Sequence, residues 1–323
     1  LEPDPIPGPG EVIIRVKACA LNYLDTWVRR GVPGHRFPLP IIPGSDVAGV
    51  IEAGDIPGFS PGDEVVAAPF VSCGRCDACL RGEDVACREY RILGENRDGG
   101  CAELIRVPCT HVFPKPQNLS FEEAAASLLA PLTAYRMVNT RARVTAGESV
   151  LVTAAAGGVG TAAIQWARLA GARVTALVGA PEKVDAVLGL GAEQAVVITR
   201  DKDPFETVRA SMGRVSFDVI VDSVGGPFLE AGVRWLKPFG RLVTCGATAA
   251  PTANLDLRRL FFLSLSILGS TMGSRWELSQ VLQAAAAGSF RPIVHAVLPL
   301  QELGEAHRIL EDRRVIGKVV VRP

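Results

Sequence analysis

Four cysteines, Cys73, Cys76, Cys79 and Cys87, fall within 15 residues of one another. Deprotonated cysteine sulfur is a soft ligand, and this spacing lets one loop wrap around a single ion. Gly74 and Gly82 allow the bends such a loop requires. With sulfur at all four positions the tetrahedron is closed, leaving no place for substrate or an activated water. The composition therefore predicts one structural Zn2+ that orders a lobe at about residues 71–90, and not a catalytic zinc. An iron–sulfur cluster, the less favoured alternative, also takes four cysteines. Cys19, Cys101, Cys109 and Cys245 are scattered in apolar, strand-like segments and read as small buried hydrophobes.

A second feature that could do chemistry is Val150-Leu151-Val152-Thr153-Ala154-Ala155-Ala156-Gly157-Gly158-Val159-Gly160. It reads as an apolar strand, a turn of small residues and a helix start. A dinucleotide-binding turn needs a tight bend, then no side chain where the pyrophosphate approaches, then close packing of helix on strand. Ala155, Gly157 and Gly160 stand at those three positions, with Gly158 and Val159 between the last two. The unpaired N–H groups and positive dipole end of the helix would face phosphate. A tight strand–helix corner with no ligand is the plainer alternative, and the alternation of strands and helices around it argues for the dinucleotide. The second strand ends in Val178-Gly179-Ala180-Pro181-Glu182-Lys183, with no acid at its tip to bind ribose hydroxyls. Lys183 and Arg200 are nearby cations able to meet a 2′-phosphate, so NADP(H) is favoured over NAD(H). Lys183 on a solvated helix face, beside Glu182, is the competing reading.

The elements that must position these groups divide the chain in two. The first ~115 residues are rich in Pro and Gly with short alternating runs, such as Val12, Ile14 and Val16. Further strands are expected at Val47–Ile51, Asp63–Ala67 and Ala102–Val107, giving a barrel-like β unit. Ser120 with Glu123 forms a capping box that predicts one alanine-rich helix through Met137. Strands then fit Ser149–Ala154, Arg173–Val178, Gln194–Ile198, Phe217–Asp222, Arg241–Gly246 and Leu265–Ser270. Helices fit Val159–Leu169, Glu182–Leu188, Pro204–Met212, Pro227–Leu236 and Leu255–Leu263. That alternation predicts an α/β fold, a doubly wound parallel sheet. From Arg275 a further helix and a last strand, Lys318–Val321, return to the first domain. The expected domains are 1–119 with 271–323, and 120–270.

Bulk properties narrow the class. At 323 residues there is room for two domains, and 48% hydrophobic with 21% charged residues is ordinary for a globular protein. Acids and bases balance at 34 each, which supplies no electrostatic reason for a nucleic-acid or anionic-membrane partner. No apolar run approaches the ~20 residues needed to span a bilayer. The start, Leu1-Glu2-Pro3-Asp4-Pro5, lacks the basic and apolar regions of a secretory signal, and it lacks an initiator Met, as if a short leading segment were removed. A cytoplasmic protein acting on a small molecule is expected.

A β front, a four-cysteine lobe and a Rossmann domain carrying Ala-Ala-Gly-Gly-Val-Gly together resemble the medium-chain dehydrogenase/reductase superfamily over essentially the whole chain. Pro43-Gly44-Ser45-Asp46-Val47-Ala48-Gly49-Val50, Leu132-Thr133-Ala134 and Gly317-Lys318-Val319-Val320 carry the resemblance further. It implies a GroES-like β-barrel catalytic domain, and a nicotinamide cofactor in the cleft between the domains. It places Thr133 near the nicotinamide and suggests a homo-oligomer, dimer or tetramer, with Leu265–Ser270 able to pair across a two-fold axis. The strand ends Asp222-Ser223-Val224-Gly225-Gly226 and Cys245-Gly246-Ala247 are expected to line the cofactor site, Gly179, Gly246 and Ala247 among the contacts.

The departures from the family pattern bear on mechanism. Zinc alcohol dehydrogenases hold a catalytic zinc with a Cys, a His in Gly-His-Glu and a later Cys or His. Here Asn22 and Ser45 stand at the first two positions, and the third falls near Leu129 or Ala130, so the catalytic metal is expected to be absent. Asn22 and the Pro43–Val50 stretch look like the quinone oxidoreductase branch. That branch usually lacks the cysteine lobe; some acryloyl- and enoyl-thioester reductases combine both features. Without a Lewis acid, hydride delivery to the β-carbon of an enone, enoyl thioester or quinone suits the site better than alcohol oxidation. Asn22 is the foremost candidate for a donor near the reacting oxygen, with Tyr23 and Asp25 behind it; turn chemistry after the first strand is the plainer reading of Asn22 and Asp25. The alternatives are a zinc-dependent alcohol dehydrogenase using Asp46, and a non-catalytic NADPH-binding protein.

Overall fold

The alternating run at Val12, Ile14 and Val16 becomes a ten-residue strand, β1 (Glu11–Ala20), buried along most of its length. In this computed structural model, which describes residues 2–54, 57–199 and 201–323, α1 (Tyr23–Arg30), β2 (Asp46–Ala53), β3 (Glu64–Ala67), β4 (Phe70–Val71) and α2 (Asp77–Leu80) follow. The chain continues through β5 (Arg91–Ile92), β6 (Leu104–Pro108), β7 (Val112–Pro114), α3 (Phe121–Ala126), α4 (Leu129–Tyr135), β8 (Ser149–Val152), α5 (Gly158–Leu169) and β9 (Arg173–Val178). Next come α6 (Val184–Gly189), β10 (Gln194–Val197), α7 (Pro204–Met212), β11 (Phe217–Asp222), α8 (Pro227–Trp235), β12 (Leu236–Thr244), α9 (Leu257–Phe262) and β13 (Ser266–Gly269). Then α10 (Arg275–Ala286), β14 (Val294–Pro299), α11 (Leu303–Glu311) and β15 (Lys318–Arg322) complete it.

Two compact units result: residues Leu1–Leu132 with Met272–Pro323, and residues Thr133–Thr271. The boundary expected at 119/120 thus lies at 132/133. The reason is α3, whose buried Ala124, Ala125 and Ala126 pack on β1 and β2. The single helix expected from Ser120 to Met137 is also broken. Its capping box forms, with the Glu123 N–H donating to Ser120 Oγ at 3.1 Å. The helix stops at Ser127, four residues before Pro131, whose ring excludes that carbonyl and whose nitrogen has no hydrogen to offer it.

In the first unit β14, β15, β1, β2, β3 and β7 pair in that order, and β6 also pairs with β1. β1 is shared along its length: Glu11–Arg15 pair with β6, while Cys19 and Ala20 pair with β15. Its core is aliphatic, with Val12, Ile14, Val47, Val65, Val319 and Val321 fully enclosed. α1 was not foreseen as a helix, and it sits directly after β1.

In the second unit six parallel strands run in the order β10-β9-β8-β11-β12-β13, the doubly wound order that turns between its first and fourth strands. Leu151, Ile220 and Leu242 form the centre of the sheet, with Val208, Trp235 and Phe217 closing one face. No helix among the described residues is long and apolar enough to cross a membrane.

Candidate active site and metal centre

Strand register brings three distant polar residues together. Ala20 stands opposite Asp46 on β2 and opposite Val320 on β15. The antiparallel pairing with β15 continues through Leu21, whose N–H donates to the Val319 carbonyl at 2.8 Å. One step further sets Asn22 across from Lys318. The Lys318 ammonium donates to Asn22 Oδ1 and, at 2.9 Å, to Asp46 Oδ2. Asn22 Nδ2 donates to the same Asp46 oxygen at 3.0 Å. The other Asp46 oxygen accepts the Leu129 N–H at 2.8 Å. Asn22, Asp46 and Lys318 are 7%, 0% and 4% exposed, so an amide, a carboxylate and an ammonium form a buried, mutually satisfied set.

Asn22 precedes α1, and Asp25 lies in that helix's first turn. Asp25 Oδ2 accepts the Asn22 N–H at 2.7 Å and Oδ1 accepts the Gly44 N–H at 2.9 Å. It is fully buried, and burial pushes its pKa up from 3.8 to about 6, against the pull of those two N–H groups and of Lys318. Gly44 is required here: its φ is 96°, and a Cβ would lie 2.5 Å from Cys19 Sγ. Ser45 donates to the Leu93 carbonyl, 48 residues away, at 2.7 Å. The Tyr23 ring stacks edge-on against Trp27 at 5.8 Å. The structure thus brings Asn22 and Asp25 together and adds Asp46 and Lys318. In the sequence Lys318 stands in the Gly317–Val320 stretch and opens the last expected strand without being marked as a site residue; the signal available is a lysine at the head of the apolar run Val319-Val320-Val321.

In the second unit Gly157 caps α5 from an extended conformation, and Gly158, Val159 and Gly160 form its first turn. The turn bends at Ala154, with φ 45°, and the Ala155 N–H ties it to the Leu177 carbonyl of β9. A Cβ on Gly160 would come within 2.4 Å of the Ala154 carbonyl oxygen, so glycine there allows helix and strand to close together. These features fit a pyrophosphate at a twelve-residue helix's N-terminus. Buried Asp222 knits the neighbouring strand ends. It accepts Thr153 Oγ1, just past β8, at 2.7 Å, the Val224 and Gly225 N–H groups, and Thr244 Oγ1 at the end of β12. That holds the 223–226 loop and Cys245-Gly246-Ala247 beside the glycine-rich turn; a Cβ on Gly246 would meet the Ser223 carbonyl at 2.5 Å. Gly179 is exposed at the tip of β9, with open space around its Cβ position. Lys183 closes a short turn, Pro181–Lys183, and is buried, not solvated. Thr133 is 5% exposed within α4. Arg200 lies outside the described residues.

The four cysteines converge. Their sulfurs all lie within 4.8 Å of one another, with Cys76–Cys79 at 3.6 Å and Cys73–Cys79 at 3.9 Å. Tetrahedral Zn–S bonds would put sulfurs about 3.8 Å apart, so the cage fits zinc. Backbone N–H groups of Arg75 and Cys76 pull the Cys73 pKa down to about 6. Burial, with Cys76 alongside, pushes Cys79 up to about 12. Among the described residues this is the one group of three or more His, Cys, Asp or Glu side chains placed to hold a metal.

Comparison with known proteins finds relatives over the length of the chain. The profile described as "Alcohol dehydrogenase GroES-like domain" matches residues 8–117, and the one described as "Zinc-binding dehydrogenase" matches residues 158–287. The acryloyl-coenzyme A reductase of Metallosphaera sedula is 31% identical over 322 residues, covering 98% of this chain and 94% of its own. A crystal structure titled NAD-dependent alcohol dehydrogenase is 44% identical with a TM-score of 0.91, covering 100% of this chain and 94% of the other. A structure of a 2-octenoyl-CoA carboxylase reductase in complex with NADP and 2-octenoyl-CoA is 28% identical with a TM-score of 0.87, covering 99% and 80%.

Proposed function

Since the chain belongs to the zinc-type alcohol dehydrogenase-like family of the medium-chain dehydrogenase/reductase superfamily, and is thereby an NAD(P)H-dependent oxidoreductase, we propose that it reduces an activated C=C bond or a quinone- or enone-type acceptor by direct hydride transfer. The observation that carries this reading is the state of Asn22. At the position where zinc-dependent relatives put a thiolate, this chain has an amide whose oxygen is taken by Lys318 and whose nitrogen is shared with Asp46. A neutral amide so engaged is no metal ligand, whereas the second Nδ2–H can donate to an oxygen that gains negative charge.

When bound, the nicotinamide supplies a hydride to the β-carbon of the acceptor. The electron pair of the C=C bond moves toward the carbonyl, where Asn22 donates to the developing oxyanion, and the α-carbon of the resulting enolate takes its proton from solvent water. Asp25 and Asp46 position Asn22 from its backbone and side-chain ends. Ala155, Gly157, Gly158, Val159 and Gly160 would hold the pyrophosphate, with Thr133, Gly179, Gly246 and Ala247 as further cofactor contacts. Cys73, Cys76, Cys79 and Cys87 would hold one structural zinc.

NADPH is preferred in this reading because no acid stands at the tip of β9 and Lys183 follows it; the 2-octenoyl-CoA relative was solved with NADP. The 44% identical structure titled NAD-dependent alcohol dehydrogenase favours a second reading, alcohol–carbonyl interconversion with NAD. The test is NADPH and NADH oxidation with acryloyl and crotonyl thioesters, enones, quinones and aldehydes, beside a zinc count. Thioester or enone reduction with one zinc per chain supports the proposal. Alcohol oxidation with two zincs supports the second reading, and no turnover with any acceptor leaves a binding protein. The exposed edge of β13, near exposed Phe261 and Phe262, supports pairing with a second copy, which light scattering would measure.

A further inference from the structure

The cysteine lobe is tied to a segment far from it in sequence. Asp84, 2% exposed, lies between Cys79 and Cys87. One of its oxygens accepts the Arg275 N–H at 2.8 Å; the other accepts Ser72 Oγ at 2.7 Å and Arg275 Nε at 3.3 Å. Ser72 in turn gives its N–H to His111 Nε2 at 2.9 Å. Burial and the Arg275 charge push His111 down to about 4, keeping it a neutral acceptor. Next to His111, Tyr90 stacks on Phe70 at 4.8 Å, Phe70 meeting the His111 ring edge-on at 5.9 Å, and the Tyr90 hydroxyl donates to the Gly273 carbonyl at 3.4 Å.

Residues 273–275 directly follow Met272, where the chain resumes the first unit, and lead into α10. Gly273 also rests on Leu132, the last residue before the chain leaves that unit: a Cβ there would lie 2.4 Å from Leu132 Cδ1. Arg275 reaches back over the metal loop. A Cβ on Gly74, between Cys73 and Cys76, would sit 3.8 Å from its guanidinium. Four thiolates around a divalent ion leave two negative charges, and this guanidinium is a cation held beside them.

We propose that Arg275 and Asp84 form a clamp through which zinc in the cysteine cage fixes the returning segment 273–275 and the first turn of α10. The proposal rests on zinc occupying the cage, and it is independent of which acceptor the enzyme reduces. Coupling of this kind is reciprocal: if zinc secures Arg275, Arg275 secures zinc.

The test is hydrogen exchange of the first turn of α10, read by mass spectrometry on the full chain with and without zinc, and zinc release to a chromogenic chelator. Chelation is expected to speed exchange at Arg275–Leu278 roughly tenfold or more, the effect of losing charge-assisted hydrogen bonds. R275A, altered far from the cysteines in sequence, is expected to release zinc several-fold faster than wild type. D84N in the zinc-loaded protein is expected to raise the same exchange. S72A leaves the Asp84–Arg275 contact in place and is expected to change exchange there less than D84N. Equal exchange with and without zinc would overturn the proposal. So would wild-type zinc release from R275A, or a zinc-loaded D84N chain that exchanges as wild type. If the protein holds no zinc at any stage, the metal assignment fails instead, which its metal content shows separately.

Discussion

Asp46 and Lys318 are 272 residues apart, yet their charges meet at 2.9 Å with both side chains buried. The pair stands where the end of β1 meets β2 and β15, so it reports on the strand register as well as on the site. Removing one partner of a buried pair strands the other charge, at a cost of about 3–5 kcal/mol. K318M is therefore expected to lose stability on that scale in denaturant titration, and D46N to lose a similar amount. The double variant K318M/D46N should recover part of the loss. Additive losses would show that the two charges are not coupled.

Asp25 gives a pH dependence whose sign follows from burial. Its folded pKa of about 6 lies above the ordinary 3.8, so between those values the folded chain holds more protons than the unfolded one. Its contribution to stability thus falls as pH rises through that window, and above about 6 the full penalty applies, on the order of 3 kcal/mol. In D25N this slope should disappear, leaving the remaining carboxylates to set the curve. A stability profile identical to wild type between pH 4 and about 6.5 would count against an ionisable Asp25 in that range.

Much of the fold was legible because its signals are local. The thiolate spacing, the glycine-rich turn and the Ser120–Glu123 cap each lie within a few residues, and period-2 and period-3.6 patterns placed the six strands of the second unit to within a few residues at most ends. What escaped depends on pairing across the chain. Lys318 reaches Asn22 over 296 residues and Arg275 reaches Asp84 over 191, and no window shows either. The helix break at Ser127 has a local signal in Pro131, four residues on, which the capping box and the alanine run do not reveal. The α1 helix has no clear mark in the sequence, since Asn22 and Asp25 suit a turn as well as a helix start; in the structure the helix buries Thr26 and Val28.

Zinc should be present at one per chain by elemental analysis. C79S, at a buried ligand, is expected to lose that zinc and to lower the melting temperature. The cost is smaller than the ~10–16 kcal/mol seen when zinc folds a whole peptide, because only a lobe depends on it here. Retention of a full zinc equivalent by C79S would show that the ion sits elsewhere.

Gly160 separates cofactor binding from hydride chemistry. In G160A the new methyl must displace the Ala154 carbonyl, opening the strand–helix corner. Overpacking of this kind costs about 1–3 kcal/mol. NADPH affinity by fluorescence titration should fall along with the melting temperature, while zinc content stays at one. Unchanged affinity would place the pyrophosphate away from this turn.

Asn22 is the sharpest test of the metal-free reading. N22A removes the donor and leaves the Lys318 ammonium without its amide acceptor. Loss of one preorganised donor to an oxyanion lowers turnover by about 10²–10³. The effect should fall on kcat with a thioester or enone, with little change in NADPH affinity, because the donor acts on charge that develops during reaction. N22Q keeps an amide on a longer stem and should recover only part of the rate, since Lys318 and Asp46 hold the shorter one in place. Full activity in N22A, with zinc still at one per chain, would remove this residue from the reaction and send the search for the oxyanion donor elsewhere.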